Sequence, residues 1–174
     1  MSFLNFVPDC YQKSILDINY NKLQKEGIKC ILFDLDNTLA IVDLDSVSEE
    51  IEKKLKKLKK EFCIIIVSNN FSKRIKKICN IIDIEFISFS MKPLSKGLSK
   101  AMKKSGYRKE QTCIIGDQLI SDVLGGKRLG IKTILVDPLS KKDLKITKIN
   151  RLLEFLIIKK LDSIGKLKRG IYYE

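Results

Sequence analysis

Histidine is absent from all 174 residues. That absence excludes Ser-His triads, imidazole general bases and His-ligated zinc. Cysteine occurs at Cys10, Cys30, Cys63, Cys79 and Cys113, but no two of them form a Cys-x-x-Cys pair. Cys30, Cys63 and Cys113 sit in apolar runs, where a thiol acts as a small buried hydrophobe, a usage that suits a reducing cytosol. No apolar run is long enough to span a bilayer. The first residues lack a basic stretch followed by a long apolar one, so no signal peptide is expected. Internal repeats, low-complexity segments and Pro/Gly linkers are also missing. The expectation is one domain, in a chain long enough to bury a real core.

Positive charge is present in excess. Lys and Arg number 34 against 21 Asp and Glu, a formal net charge of +13, with a sequence pI of about 9.5. Such an excess attracts nucleic acid, phospholipid headgroups or phosphorylated substrates, or it is a solvated lysine surface with no partner. A nucleic-acid partner is not expected, because no reading motif is present and only five Tyr and eight Phe are available for stacking.

Five short apolar segments, at 30–35, 63–67, 84–89, 112–115 and 132–136, are rich in Ile, Val, Phe and Cys with little polar alternation. This is how parallel strands buried on both faces read. Helical patterns separate them. Ser46-Val47-Ser48-Glu49 has capping-box spacing and opens a helix with Ile51, Leu55, Leu58 and Phe62 on one stripe. A second helix is expected at 72–80, burying Ile75, Ile78 and Cys79. A third spans about 96–105 with Leu98 and Met102 inward and Gly106 as its stop, and a fourth 119–129 stops at Gly130. The alternation predicts an α/β, doubly wound, Rossmann-like five-stranded parallel sheet. Its core runs from about 28 to 138, preceded by a helical or irregular lead-in at 1–27 and followed by a basic helical tail at 141–174.

Ligands in open α/β sheets bind beyond the carboxyl ends of the strands. The first strand runs into Asp34-Leu35-Asp36-Asn37-Thr38, the second into Ser68-Asn69-Asn70, the third into Met91-Lys92-Pro93, and the fourth into Gly116-Asp117 with Asp122 five residues on. Carboxylates, a hydroxyl and a lysine at one edge suit phosphoryl chemistry. A carboxylate attacks phosphorus, a second moves a proton, and a hard cation with a lysine neutralises the phosphate. Asp34, Asp117 and Asp122 can hold Mg²⁺. Ser68 can bind phosphate oxygens, and Asp36 can serve as acid and base.

These four segments, in this order, resemble the motifs of the haloacid dehalogenase (HAD) phosphatase superfamily. The resemblance implies Asp34 as nucleophile and Asp36 as acid/base, with the Asp36 backbone carbonyl on the metal. It implies Thr38, Ser68 and Asn69 on the substrate side, Lys92 as charge neutraliser, Asp117 as metal ligand, and Asp122 as a ligand through water or a support for Lys92. Lys96 is a second lysine close to Lys92. Too little chain follows the first or second motif to hold a cap domain, so an open mouth is expected, suited to phosphates on large or surface-bound molecules. Phe6-Val7-Pro8-Asp9, Gly27-Ile28-Lys29, Gly125-Gly126-Lys127-Arg128-Leu129-Gly130 and the basic end with Arg169-Gly170 resemble the YqeG-type branch of subfamily IIIA. That branch is similar to mitochondrial phosphatidylglycerophosphate phosphatases.

The resemblance implies a Mg²⁺-dependent phosphatase acting on that lipid in phospholipid synthesis. Alternatives are a soluble phosphatase for nucleotide, sugar or nucleic-acid-end phosphates, and a receiver-like or anionic-surface binding module. The expected location is cytoplasmic. The basic tail, with Lys145, Lys148, Arg151, Lys159, Lys160, Lys166, Lys168 and Arg169 among Leu, Ile and Phe, lies either on the inner face of an anionic membrane or on the domain with its lysines solvated.

Overall fold

A computed structural model describes residues 3–70, 73–142 and 145–174, and the side chains of all of these except 145–149. The element order is β1 (Cys10–Gln12), α1 (Tyr20–Lys25), β2 (Cys30–Phe33), α2 (Glu49–Leu58), β3 (Cys63–Val67), α3 (Lys73–Ile82), β4 (Glu85–Ile87), α4 (Ser95–Ser105), β5 (Thr112–Gly116), α5 (Leu124–Leu129), β6 (Lys132–Val136) and α6 (Lys145–Ser163). The strands form one parallel sheet in the order β1-β6-β5-β2-β3-β4. Ser72, the expected start of the second helix, lies outside the described residues.

Alternate residues of each strand feed opposite layers. Ile31 and Phe33 of β2 pack with Leu23 of α1, Ile51 and Leu55 of α2, and Ile75 and Ile78 of α3. Cys30 and Leu32 pack on the other face with Leu98 and Ala101 of α4. Tyr11, Leu135 and Leu161 extend that second face under α6. Burying both faces is why the strands read as continuous apolar runs.

The sheet has six strands where five were expected. The extra strand, β1, is three residues long and lies in the lead-in, too short to show a pattern of its own. It pairs with β6 at the sheet edge. Its outer side is covered by the chain's last residues, with Tyr11 and Tyr173 exchanging backbone hydrogen bonds of 2.8 and 2.9 Å. Both ends of the chain therefore converge on one edge. Three local details also differ from expectation. The cap of α2 is Ser48, whose Oγ accepts from the Ile51 N–H at 3.3 Å, and not Ser46. The third strand stops at Ile87, because Phe89 and Met91 both take positive φ (50° and 53°) and turn the chain. The segment 119–129 opens with a π-helical turn at Leu119–Val123 before α5. Among the described residues no helix is long and apolar enough to cross a membrane.

Close approach of α5 to the sheet depends on Gly126. A Cβ there would lie 2.5 Å from Thr133 Cγ2 and 2.6 Å from Ile114 Cγ2. Both atoms belong to stiff β-branched side chains that cannot swing aside. Gly126→Val should therefore destabilise the protein by about 1–3 kcal/mol, seen as a lower urea midpoint at unchanged slope. An unchanged midpoint would mean that α5 does not seat this closely.

Candidate active site

Register sets the site. Phe33 of β2 pairs with Ile66 of β3 and with Ile115 of β5. Asp34 comes next, level with Val67 and Gly116, the last residues of β3 and β5, and Ser68 and Asp117 lie a step beyond. The Asp34 N–H still bonds Ile115 O at 2.9 Å, so its carboxylate is held at the rim by sheet backbone. A cavity of about 380 Å³ opens there, and its lining includes Asp34, Asp36, Ser68, Asn69, Lys92 and Asn150.

Lys92 is buried beneath this rim. Its Nζ donates to Asp34 Oδ1 at 2.6 Å and to Asp122 Oδ1 at 2.7 Å. Lys96 is exposed on α4, so of the two lysines it is Lys92 that reaches the carboxylates. Asn69 holds the Lys92 loop. Its Oδ1 accepts from Lys92 N at 2.7 Å and from Ser90 Oγ at 2.6 Å, and its Nδ2 donates to Lys92 O at 2.9 Å. Ser68 is buried, and its Oγ accepts from the Asn70 N–H at 3.1 Å. Asp122 reaches back over the end of β5, where its Oδ2 accepts from the Gln118 N–H at 3.1 Å. That return needs Gly116, because a Cβ there would sit 2.3 Å from the Asp122 carboxylate. The Gly-Asp-x4-Asp spacing is thus a packing requirement as well as a source of ligands.

Asp117 accepts from Thr38 Oγ1 at 3.2 Å. Its other oxygen takes Arg151 Nη2, and Arg151 Nη1 donates to Asp117 O at 3.0 Å and to Glu154 Oε2 at 3.1 Å. Glu154 in turn accepts from the Ile120 N–H at 3.0 Å. Asp36 sits apart from this cluster, with its Oδ1 taking Arg74 Nη1 at 2.6 Å. Arg74 also donates to Leu44 O and Ile41 O at 2.6 and 2.7 Å, which fixes its guanidinium. Both arginines went unrecognised as site residues in the sequence. Arg74 lies in a Lys-Arg run that reads as a solvated helix face. Arg151 was grouped with the basic tail, yet it points inward from α6.

The cluster is rich in negative charge. One oxygen from each of Asp34, Asp117 and Asp122 can lie within 4.8 Å of the others. Burial pushes Asp34 well above its ordinary value; Lys92 opposes this, while Asp122 and Asp117 add to it. Burial pushes Asp117 up to about 7, with Arg151 opposing and Asp122 adding. Burial alone would lower Lys92, but Asp122 and Asp34 more than offset it and hold the ammonium charged. Asp34 Oδ2 is buried with no hydrogen-bond partner among the described residues. An orphaned carboxylate oxygen is costly. Among the described residues, the four buried carboxylates, counting Glu154, form ion pairs with two cations, Lys92 and Arg151. Hard oxygen donors with this excess of charge fit a divalent cation held by Asp34, Asp117 and Asp122.

This charge excess makes a stability prediction. Asp34 and Asp117 have raised folded-state values, so between about pH 4 and 7 the folded state binds more protons than the unfolded. Without added cation, stability should fall as pH rises through that window. Magnesium should oppose the fall above pH 7, with each kcal/mol recovered appearing as roughly 2–4 °C in Tm. Thermal melts across pH, in chelator and in MgCl₂, measure this. Parallel curves under both conditions would count against cation binding at these carboxylates.

Known proteins show the family of this chain. Residues 7–130 match the family model of haloacid dehalogenase-like hydrolases. The chain is 37% identical over 164 residues to the "Probable phosphatase YqeG" of Bacillus subtilis, covering 94% of this chain and 95% of that one. Among solved structures, it resembles the cobalt-bound deoxy-D-mannose-octulosonate 8-phosphate phosphatase of Haemophilus influenzae, with a TM-score of 0.54 at 18% identity over 79% of this chain and 90% of that one. It also resembles a HAD family enzyme from Bacteroides thetaiotaomicron in a magnesium complex, with a TM-score of 0.52 at 15% identity over 70% of this chain and 98% of that one. At these identities the two structures speak to the fold alone, whereas the family match and the full-length relative speak to descent. The chain belongs to the haloacid dehalogenase-like hydrolases, as a phosphatase of the YqeG type.

Proposed function

We propose that the protein hydrolyses a phosphomonoester through an aspartyl-phosphate on Asp34, with Mg²⁺ as cofactor and phosphatidylglycerophosphate as substrate. The observation that carries the chemistry is the unpartnered Asp34 Oδ2, on a carboxylate that also lines a cavity shared with Asp36 and Ser68. Lys92 holds the carboxylate by Oδ1 for attack on phosphorus. The new bond joins Asp34 oxygen to phosphorus as the bond to the leaving oxygen breaks, and Asp36 gives that oxygen its proton. Asp36 then takes a proton from water as the water oxygen attacks phosphorus and frees Asp34. Arg74 orients Asp36 by one oxygen. Ser68 faces the phosphate oxygens, Thr38 steadies Asp117, and Asn69 sets the Lys92 loop. A magnesium ion held by Asp34, Asp117 and Asp122, with the Asp36 carbonyl, would neutralise charge on the phosphate.

The lipid substrate rests on the accessible mouth and the charge. Among the described residues only α2 lies between Thr38 and β3, and only α3 between β3 and β4, and neither stretch of chain is long enough for an inserted domain over the cavity. With a net charge of +13, the protein suits a phosphate displayed on an anionic surface, met from the cytoplasmic side. Residues 1–174 are read as one catalytic unit with its core at about 28–138.

A substrate panel tests this reading. Phosphatidylglycerophosphate in micelles should be hydrolysed faster than nucleotides, sugar phosphates, phosphorylated nucleic-acid ends or p-nitrophenyl phosphate. Equal turnover of all would favour the soluble-phosphate alternative. Asp34→Asn should abolish release from every ester while the circular dichroism spectrum is kept, and Asp36→Asn should slow it by roughly 10²–10⁴-fold. Retained turnover in Asp34→Asn would remove it as nucleophile, and single-turnover phosphate capture without release would indicate a receiver-like switch.

A further inference from the structure

The stretch of helix α6 from Asn150 to Leu156 is packed the opposite way from a helix on a soluble surface. Such helices turn apolar residues inward and charge outward. Here the inward side carries Asn150, Arg151 and Glu154 before Ile157, Ile158 and Leu161, with Glu154 and Leu161 fully buried. The outward side carries Leu152, Leu153, Phe155 and Leu156, which are 65%, 48%, 63% and 56% exposed. One turn further on, the same side carries Lys159 and Lys160, both exposed. The inner face is therefore committed to the Asp117 region, while four large apolar side chains face out with cations beside them.

We infer that this outer face of α6 docks on an anionic lipid bilayer and holds the mouth of the active site against it. Three observations select that occupant. First, apolar residues bordered by lysines match an interface in which leucines and phenylalanine enter the acyl boundary and ammonium groups meet headgroup phosphates. Exposed Lys166 and Lys168 add to that charge. A groove of about 490 Å³ beside the helix is lined by Phe155 and Ile158, by the cations Lys159, Lys168 and Arg169, and by the acids Glu154 and Asp162. Second, the mouth is adjacent. Asn150 of α6 lines the catalytic cavity together with Lys92 and Pro93, and Phe89, Met91 and Leu94, close to those two residues in the chain, are exposed. Exposed apolar side chains thus occur on both segments that meet at the cavity. Third, a second copy of the chain is a poor match, because joining two such faces would bring together two proteins each of net charge +13.

The inference rests on the lipid reading of the active site for its purpose, but its test needs no phosphomonoester. Deleting α6 is unsuitable, since it would strip Arg151 from Asp117. The full chain contains no tryptophan, so Phe155→Trp places one fluorophore on the face. Its emission should shift to the blue with vesicles of phosphatidylglycerol mixed with phosphatidylcholine, and not with phosphatidylcholine alone. In flotation assays the unmodified protein should bind the anionic vesicles and be released by salt. The double variant Leu152→Ser/Leu156→Ser should bind at least about tenfold more weakly, as should Lys159→Glu/Lys160→Glu. Both should keep their Tm and their turnover of p-nitrophenyl phosphate. An unshifted emission spectrum in the Phe155→Trp variant, or unchanged flotation of both double variants, would overturn the inference. So would a dimer in light scattering that the serine variant dissolves, which would assign the face to a second copy. Vesicle binding without turnover of phosphatidylglycerophosphate would sink only the lipid-substrate reading. Turnover of that lipid without vesicle binding would sink only this one.

Discussion

The structure depends on an unbalanced set of buried charges at the carboxyl end of the sheet. Asp34, Asp117 and Asp122 converge there, Lys92 joins two of them, and Arg151 holds the third. Burying carboxylates with too few cations is unfavourable unless something supplies the missing positive charge. The fold nonetheless holds them in place with sheet backbone, a glycine that admits the Asp122 carboxylate, and an asparagine that ties down the lysine loop. Such preorganised electrostatics is the usual way an active site is assembled before its ligand arrives. A divalent cation held by these aspartates would supply the missing positive charge.

The same requirement explains the two arginines. Arg74 and Arg151 come from helices on opposite sides of the sheet, and each pairs with one aspartate of the candidate site. Arg151 ties α6 to the aspartate cluster, although the helix lies after the last strand. Its docking with Glu154 sets the rotation of the helix, and that rotation leaves the leucines outside. The chain's final residues then tie down the neighbouring edge, with Tyr172 and Arg169 donating to Asp137 at 2.7 and 3.2 Å.

Much of this was legible in the sequence. The strands of the core read clearly because residues buried on both faces leave unbroken apolar runs, and the acids ending them pointed to the reactive edge. The third strand and β1 were harder. Glu85–Ile87 is cut short by positive-φ residues that no pattern announces. Cys10–Gln12 is a strand only because β6 offers it an edge and Tyr173 covers the other side. The roles of Asn69 and Thr38 emerge from three-dimensional contacts, since an amide and a hydroxyl at these positions serve a substrate or a neighbouring loop equally well in one dimension.

By itself, the sequence determined the class of fold, the sheet edge where the acids gather, and the family, because each is carried by local periodicity or by motifs within a few residues. Only the tertiary structure decided which lysine meets Asp34, which arginines hold the aspartates, and which way α6 turns its faces. Those outcomes are long-range. Lys92 and Asp34 are 58 residues apart, Arg151 and Asp117 are 34 apart, and an amphipathic pattern records two faces without recording which one the domain needs more. Here the demand for charge at Asp117 outweighed the ordinary preference to bury leucine.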